Sequence, residues 1–384
     1  MKAAILAAGE GNRLQPLTNR RPKPMLPVAN RPILEYVIEA VAAAGIDEIV
    51  LIVGYERTRI QTYFGDGDEW GVDIEYARQD PQLGTGHAVE QIQSLVNEDF
   101  LVLNGDRIID PELIEGLASD TVSAPAVGVT RVESPARYGV VELDGDRVAG
   151  IDEKPDREPS SEIINAGVYR FAPDVFEAIG RTQPSAAGEI TLPATIETLA
   201  ADTEVTAVRY RGLWMDISQL WDLLSANDVL LDQKACPSAG NVDTTASVAD
   251  RACTAAGSTV GANSTLKSGT TLGPNVTVEA NAVLSNTVVM QDATIGDGAV
   301  LRDCIVSENA TIGPNTTVTG GETQVIVQGT VYEDVRLGGV VGDNTTVGGN
   351  VTLRAGSVVG DGVTIEDSAV IEGRIPPNTE VRRG

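Results

Sequence analysis

An aliphatic residue recurs at six-residue intervals through the second part of the chain. Val242, Val248, Val260, Leu266, Leu272, Val278 and Leu284 carry the pattern. It slips and then returns at Val341, Val347, Leu353, Val359, Ile365 and Ile371. Glycine often follows, as at Gly261, Gly273, Gly342, Gly348 and Gly360. Few folds accept period six. In a parallel β-helix each hexapeptide forms one side of a triangular coil, and its aliphatic residue points inward. Each coil buries that residue only against its neighbours, so the domain must be a stack. The slips near 284–295, 301–312 and 318–341 predict bulges or a loop leaving the coil. Residues 375–384 read as a terminal cap and tail.

The first part of the chain has a different rhythm. Ala3–Leu6 is a short apolar strand. Asn30 is placed to cap a helix whose apolar face is Ile33, Leu34, Val37, Ile38 and Val41, with Gly45 ending it. Residues 49–53 form a continuous apolar strand, 56–64 a helix and 73–76 a strand. Residues 79–86 are a polar loop and 88–96 a second helix. Residues 100–103 are a strand that runs into Asn104-Gly105-Asp106. This alternation predicts an α/β domain with a mostly parallel sheet covered on both faces. Such sheets bind ligands at the carboxyl ends of their strands, where Gly9 and Asp106 both lie. From about 125 to 171 the pattern shifts to strands with short turns, and residues 218–231 form an amphipathic closing helix. The expected organisation is 1–231, a linker at 232–241, a β-helix at 242–378 and a tail at 379–384.

Composition bounds the partners. The formal charge is −27 at pH 7, which argues against a nucleic-acid or anionic-membrane surface. Lysine occurs only at 2, 23, 154, 234 and 267. An acidic, lysine-poor surface suggests a salt-rich, halophilic cytoplasm, where screening weakens like-charge repulsion. Cys236, Cys253 and Cys304 show no metal spacing and read as free thiols of a reducing, cytoplasmic compartment. The N-terminal MKAAILAAG reads as a buried strand rather than a leader. No apolar stretch is long enough for a membrane span.

The stretch from Leu6 to Pro27, LAAGEGNRLQPLTNRRPKPMLP, concentrates the chemistry. Glycines directly after a strand let backbone N–H groups approach a phosphate, and Arg13 and Lys23 add fixed positive charge. A dinucleotide fingerprint would need a third glycine where Leu14 stands, and no Gly-Lys-Ser/Thr occurs for a P-loop. The whole string resembles the signature of the sugar-phosphate nucleotidylyltransferases. The resemblance covers the first 230 residues or so. The repeats resemble a left-handed β-helix, and the pairing resembles the bifunctional uridylyltransferase/acetyltransferases of amino-sugar synthesis and their archaeal relatives.

That resemblance implies a site. Ala8, Gly9, Gly11 and Arg13 match the loop that holds the triphosphate. Lys23, between Pro22 and Pro24, matches a lysine on phosphate. Gln79, Gly84 and Thr85 match positions that read a pyrimidine base. His87, the only histidine, reads as an ordinary helix residue. Asp106 and Asp216 match the carboxylates of Mg²⁺, which is usually held by one or two carboxylates plus substrate phosphates. Gly139, Glu153 and Asn165 match sugar contacts, and Lys154 matches the lysine on the sugar phosphate. Glu189 and Tyr169 are weaker candidates for the sugar pocket.

The implied reaction is Mg²⁺-dependent transfer of a nucleotidyl group from UTP or dTTP to glucose-1-phosphate or N-acetylglucosamine-1-phosphate. The attacking phosphate is already an anion, so the protein must position two repelling anions and neutralise the charge that builds up. Two alternatives stand beside it: an enzyme that also acetylates glucosamine-1-phosphate in its β-helix, and a non-catalytic subunit. The first lacks a histidine base beyond residue 87. The second would not need Arg13, Lys23 and both aspartates. The β-helix then serves assembly, as a homo-trimer or a multiple of three.

Overall fold

A computed structural model describes residues 1–155, 157–233, 236 and 238–383. Residues 234, 235 and 237 of the expected linker, Asp156, and Gly384 of the expected tail lie outside the described residues. The chain forms two compact units. The first comprises Met1–Glu10, Arg21–Met25 and Ile33–Asp216, and the second Gly11–Arg20, Leu26–Pro32 and the stretch from Ile217 onward.

The first unit is built on a nine-stranded sheet. Its order is Asp73–Arg78, Glu48–Val53, Ala3–Ala7, Phe100–Asn104, Ile163–Phe171, Ala126–Arg131, Thr206–Arg209, Arg147–Glu153 and Gly139–Asp144. The first four strands pair in parallel. The inner three are apolar at nearly every position because both faces are covered, while the edge strand Asp73–Arg78 alternates polar and apolar residues. Ile5, Leu51 and Leu103 face a core shared with the Ile33–Ala43 helix, and Ala4, Ile52 and Val102 face the core of Phe171 and Ile196.

Leu6 pairs with Asn104, so the chain leaves both strands at one edge and presents Ala8-Gly9 beside Gly105-Asp106. The Gly105 N–H donates to Leu6 O at 3.0 Å. A Cβ on Gly105 would lie 2.7 Å from that oxygen, so only glycine fits. Past Phe100–Asn104 the sheet becomes mixed. Ile163–Phe171 is antiparallel to both neighbours, as the shift to short turns near residue 125 foreshadows. Its register breaks between Asn165 and Tyr169, and that break frees Ala166-Gly167, directly after Asn165, from the ladder.

Two expected helices differ. The second begins earlier, at Thr85–Glu90, because Gly84 at φ 99° turns the chain there. Asn30 does not cap the first. Ala29 and Asn30, at φ 48° and 64°, form the turn of a short hairpin, Pro27–Val28 with Arg31–Pro32.

The second unit is a left-handed parallel β-helix. Along one ladder Val242, Val260, Val278, Ile295, Ile312, Val347, Ile365 and Val381 stack in register. The first steps are eighteen residues, three hexapeptides per coil. The steps to Ile295 and Ile312 are seventeen, which accounts for the first two slips. The third is a hairpin, Glu322–Val327 with Thr330–Arg336, between Ile312 and its partner Val347.

The Leu220–Gln233 helix falls in this compact unit, which takes up the chain again at Ile217. Leu223, Leu224 and Leu230 are buried. Asn227, fully buried, donates to Gly269 O at 2.9 Å and accepts from the Ala29 N–H at 2.9 Å. Cys236 and Cys253 are joined in a disulfide, 5.7 Å between their Cα atoms. This corrects the expectation of three free thiols: spacing alone could not show that the first coil brings Cys253 back beside Cys236, 17 positions earlier. Cys304 is free and buried.

Candidate active site

Lys23 lies in a short 3₁₀ turn, Lys23–Met25, between two prolines that hold its backbone. Its ammonium reaches Asp106 Oδ2 at 2.6 Å and lies 3.7 Å from Asp216 Oδ1. Asp106 follows the Phe100–Asn104 strand. Asp216 ends the strand Trp214–Asp216, which pairs with Arg107–Ile109 so that Asp216 faces Arg107. Three residues far apart in sequence thus converge. Burial alone would push the Lys23 pKa down, but the charges of Asp106 and Asp216 outweigh it and the net shift is upward. Lys23 therefore stays an ammonium at neutral pH.

The two carboxylates supply hard oxygen donors of the kind Mg²⁺ takes. Among the described residues no group of three or more His, Cys, Asp or Glu could hold a metal. A cation on Asp106 and Asp216 would draw its other ligands from phosphate and water. The donor set fits that use.

The sugar-side candidates also converge. Gly139 pairs with Glu153 across neighbouring strands. A Cβ on Gly139 would meet Glu153 Oε2 at 2.7 Å and Asn165 Cβ at 3.7 Å. The Asn165 amide is engaged within its own strap. Its Oδ1 accepts from Gly167 N–H at 2.8 Å, and its Nδ2 donates to Tyr169 Oη at 2.6 Å. Tyr169 is buried beneath it, and burial pushes its pKa up to about 12. Lys154 sits at φ 52°, a conformation a non-glycine residue rarely adopts. Its ammonium is half-exposed, 3.3 Å from Glu153 Oε1. Glu189 is exposed in a turn closed by Ser185 N–H on Glu189 O.

The base-side candidates form a braced loop. Gln79 is buried, and its Nε2 donates to Gly84 O at 3.0 Å and lies 3.0 Å from His87 Nδ1. Thr85 Oγ1 accepts from the Leu192 N–H at 2.8 Å. Gly86 N–H donates to Ile190 O, and Ile190 N–H to Leu83 O, both at 2.8 Å. His87 is a helix residue that helps hold Gln79. Gln82, unremarked in sequence, donates from Nε2 to Ala8 O at 2.7 Å and ties this loop to the first strand's end. Gly9 is exposed, with open space where a Cβ would stand.

Gly11 and Arg13 belong to the second unit. There Gly11, at φ 73°, opens the 3₁₀ turn Asn12–Leu14, and its carbonyl accepts from Leu14 N–H and Thr18 Oγ1, both at 2.9 Å. Arg13 is exposed.

Residues 2–233 match the family profile of the nucleotidyl transferases. The chain belongs to the nucleotidyl transferase family. Residues 248–383 match a second profile, the GMPPB C-terminal domain. Among curated relatives of this nucleotidyl transferase, bifunctional protein GlmU of Methanococcus maripaludis is 40% identical over 250 residues, 65% of this chain and 59% of that protein. The low-salt glycan biosynthesis nucleotidyltransferase Agl11 of Haloferax volcanii is 36% identical over 65% of this chain and 72% of its own length. Glucose-1-phosphate thymidylyltransferase of Streptomyces antibioticus is 36% identical over 68% and 74%. The match thus spans less than two thirds of the GlmU relative's length. A solved UDP-glucose pyrophosphorylase, complexed with UDP-glucose, superposes with a TM-score of 0.56 at 25% identity, covering 61% of this chain and 99% of that one. Among the described residues no helix is long and apolar enough to cross a membrane.

Proposed function

We propose that the chain transfers a nucleotidyl group from UTP or dTTP to a sugar-1-phosphate, releasing pyrophosphate, with Mg²⁺ held by Asp106 and Asp216. The observation that carries this reading is the meeting of Lys23, Asp106 and Asp216 within 4 Å in a member of this family. The relative named glucose-1-phosphate thymidylyltransferase and the solved UDP-glucose pyrophosphorylase support glucose-1-phosphate as the acceptor, and the resemblance of the sequence to amino-sugar uridylyltransferases keeps N-acetylglucosamine-1-phosphate beside it.

The residues divide the work. Lys23 and Arg13 take up phosphate charge, and the Ala8–Gly11 backbone seats the triphosphate. Gln79 braces the loop of Gly84 and Thr85, whose backbone reads the base edge. Glu153 accepts from sugar hydroxyls beside the Gly139 backbone, Asn165 holds the strap behind them, and Lys154 meets the sugar phosphate. Magnesium, when bound, offsets the negative charge gathering on the transferring phosphates. No general base is required, because the attacking phosphate oxygen is already anionic. The β-helix acts in assembly, as a homo-trimer or a multiple of three. The protein works in a salt-rich cytoplasm, away from membranes and nucleic acid.

The test is pyrophosphate release with Mg²⁺ at high potassium chloride. UTP, dTTP, ATP and GTP are crossed against glucose-1-phosphate and N-acetylglucosamine-1-phosphate, with Asp106→Asn as control. Release with a pyrimidine triphosphate that vanishes in the control supports the reading. Silence in every combination from folded protein overturns it.

A further inference from the structure

Arg107 has no place in the assignments above. It follows Asp106 directly, and only 17% of its side chain is exposed. Nη1 donates to Asn165 O at 3.1 Å. Nε is buried, makes no hydrogen bond among the described residues, and lies 4.0 Å from Asp216 Oδ1. The guanidinium carbon sits 5.3 Å from the centre of the Trp214 ring. Trp214 is itself fixed, its Nε1 donating to Ala166 O at 2.9 Å. Gly167 closes the remaining side: a Cβ there would collide with Arg107 Nη1 and with Asn104 Nδ2. A surface arginine would keep its rotamer freedom, whereas this one is clamped by the Asn165 carbonyl, the indole and the glycine.

Four charges therefore share one spot. Lys23 Nζ lies 3.7 Å from the Asp216 Oδ1 that Arg107 Nε faces at 4.0 Å, and 2.6 Å from Asp106 Oδ2. Two carboxylates and two cations cancel. A bare carboxylate pair attracts a divalent cation strongly, and two positive charges beside it remove most of that attraction. The cations differ in freedom. Lysine is a point charge on a flexible stem, while this guanidinium is a planar fork already committed at Nη1. Lys23 can turn to a phosphate; Arg107 stays.

On the metal reading of Asp106 and Asp216 given above, we propose that Arg107 is a positioning residue with two effects. It orients Asp216 against the Asn165–Gly167 strap. It also keeps the carboxylate pair's affinity for a free divalent cation low, so that the cation is retained together with the triphosphate's own negative charge.

The experiment titrates Mn²⁺ into full-length wild type, Arg107→Gln, Arg107→Lys and Asp106→Asn, following the spin-resonance signal of free aqueous Mn²⁺. Thermal melts confirm that each variant is folded, and Arg107→Met, whose stem still covers Trp214, replaces the glutamine variant if that one does not fold. Without nucleotide, Arg107→Gln is expected to bind Mn²⁺ on the order of tenfold more tightly than wild type, because a nearby unit of positive charge has gone. Arg107→Lys keeps the charge and stays near wild type in Mn²⁺ affinity, but its single ammonium cannot serve Asn165 O and Asp216 together, so the KM for sugar phosphate rises. A merely structural arginine would not give tighter metal binding on removal. Unchanged or weaker Mn²⁺ binding in folded Arg107→Gln, with Asp106→Asn weakened, overturns the role of Arg107 alone. Wild-type affinity in Asp106→Asn overturns the metal assignment with it, and wild-type pyrophosphate release then shows whether the transfer reaction itself stands.

Discussion

Lys23 is the residue on which most of the first unit's site turns. It is 13% exposed and faces two carboxylates. Removing one partner of a buried ion pair leaves the other charge uncompensated, at a cost of about 3–5 kcal/mol. Lys23→Met is therefore expected to lose stability on that scale and turnover by about 10²–10³-fold, read from denaturant melts and pyrophosphate release. The pH dependence has a definite sign. Because the folded-state pKa is raised, the ammonium's contribution is fully present below the ordinary lysine pKa and disappears only as pH rises through the folded value. Wild type and Lys23→Met should thus show parallel stability curves from about pH 6 to 9, converging only in strong alkali. Convergence near neutrality would mean that Lys23 is not held between the two aspartates. At this scale the sequence was readable where the residue type is rare and its neighbours distinctive: Lys23 and Lys154 are two of five lysines, each beside a proline. Arg107 was not readable. It is one arginine among many, and its meaning comes from Gly167 and Trp214, which reach it only through the broken register of Ile163–Phe171 and the Trp214–Asp216 pairing.

Elements show where glycine and periodicity carry the design. Gly84 sits at φ 99°, and a Cβ would press on the Ile190 backbone. Gly84→Ala should cost about 1–3 kcal/mol through strain. On the proposed base-reading role of this loop, it should also raise the KM for nucleotide much more than that for sugar phosphate. Equal effects on both KM values would remove the base-reading role from this loop. In the β-helix, Ile312 is fully buried between Ile295 and Val347. Ile312→Ala opens a cavity that the stack cannot close, for about 2–5 kcal/mol, while Val370→Ala, at a site 62% exposed, should change little. The coil was legible because every inward aliphatic repeats at one interval. The hairpin inside it was visible only as a lost phase, although Gln328-Gly329 lies between the β-branched runs Val325-Ile326-Val327 and Thr330-Val331 and both adopt positive φ, the signature of a two-residue turn. The disulfide left no such trace. Ellman titration should find no accessible thiol in the native protein: Cys304 is buried, which pushes its pKa up to about 12. One thiol should appear on unfolding and three after reduction. Three thiols without reductant would restore the free-cysteine reading.

For the whole molecule the governing quantity is charge. The chain carries 55 acidic and 28 basic side chains, a formal −27. Several of the basic ones are already committed: Lys23 and Arg107 at the site, and Arg170 to Asp99 at 3.0 Å. The remaining carboxylates repel one another across the surface, and the folded state holds them closer together than the unfolded chain does. Screening shortens the reach of that repulsion from about 10 Å at 0.1 M salt to about 3 Å at 1 M. Raising potassium chloride from 0.1 to 2 M should therefore lift Tm by roughly 5–10 °C, with most of the gain below 1 M, where the screening length changes fastest. The shape of the curve separates screening from surface exclusion of salt, which strengthens apolar burial in proportion to concentration and keeps rising at the top of the range. A saturating rise assigns the acidic surface to a salt-rich interior as its working medium. A flat curve would mean that the fold tolerates its charge without help, and the composition would then say nothing about where the protein operates.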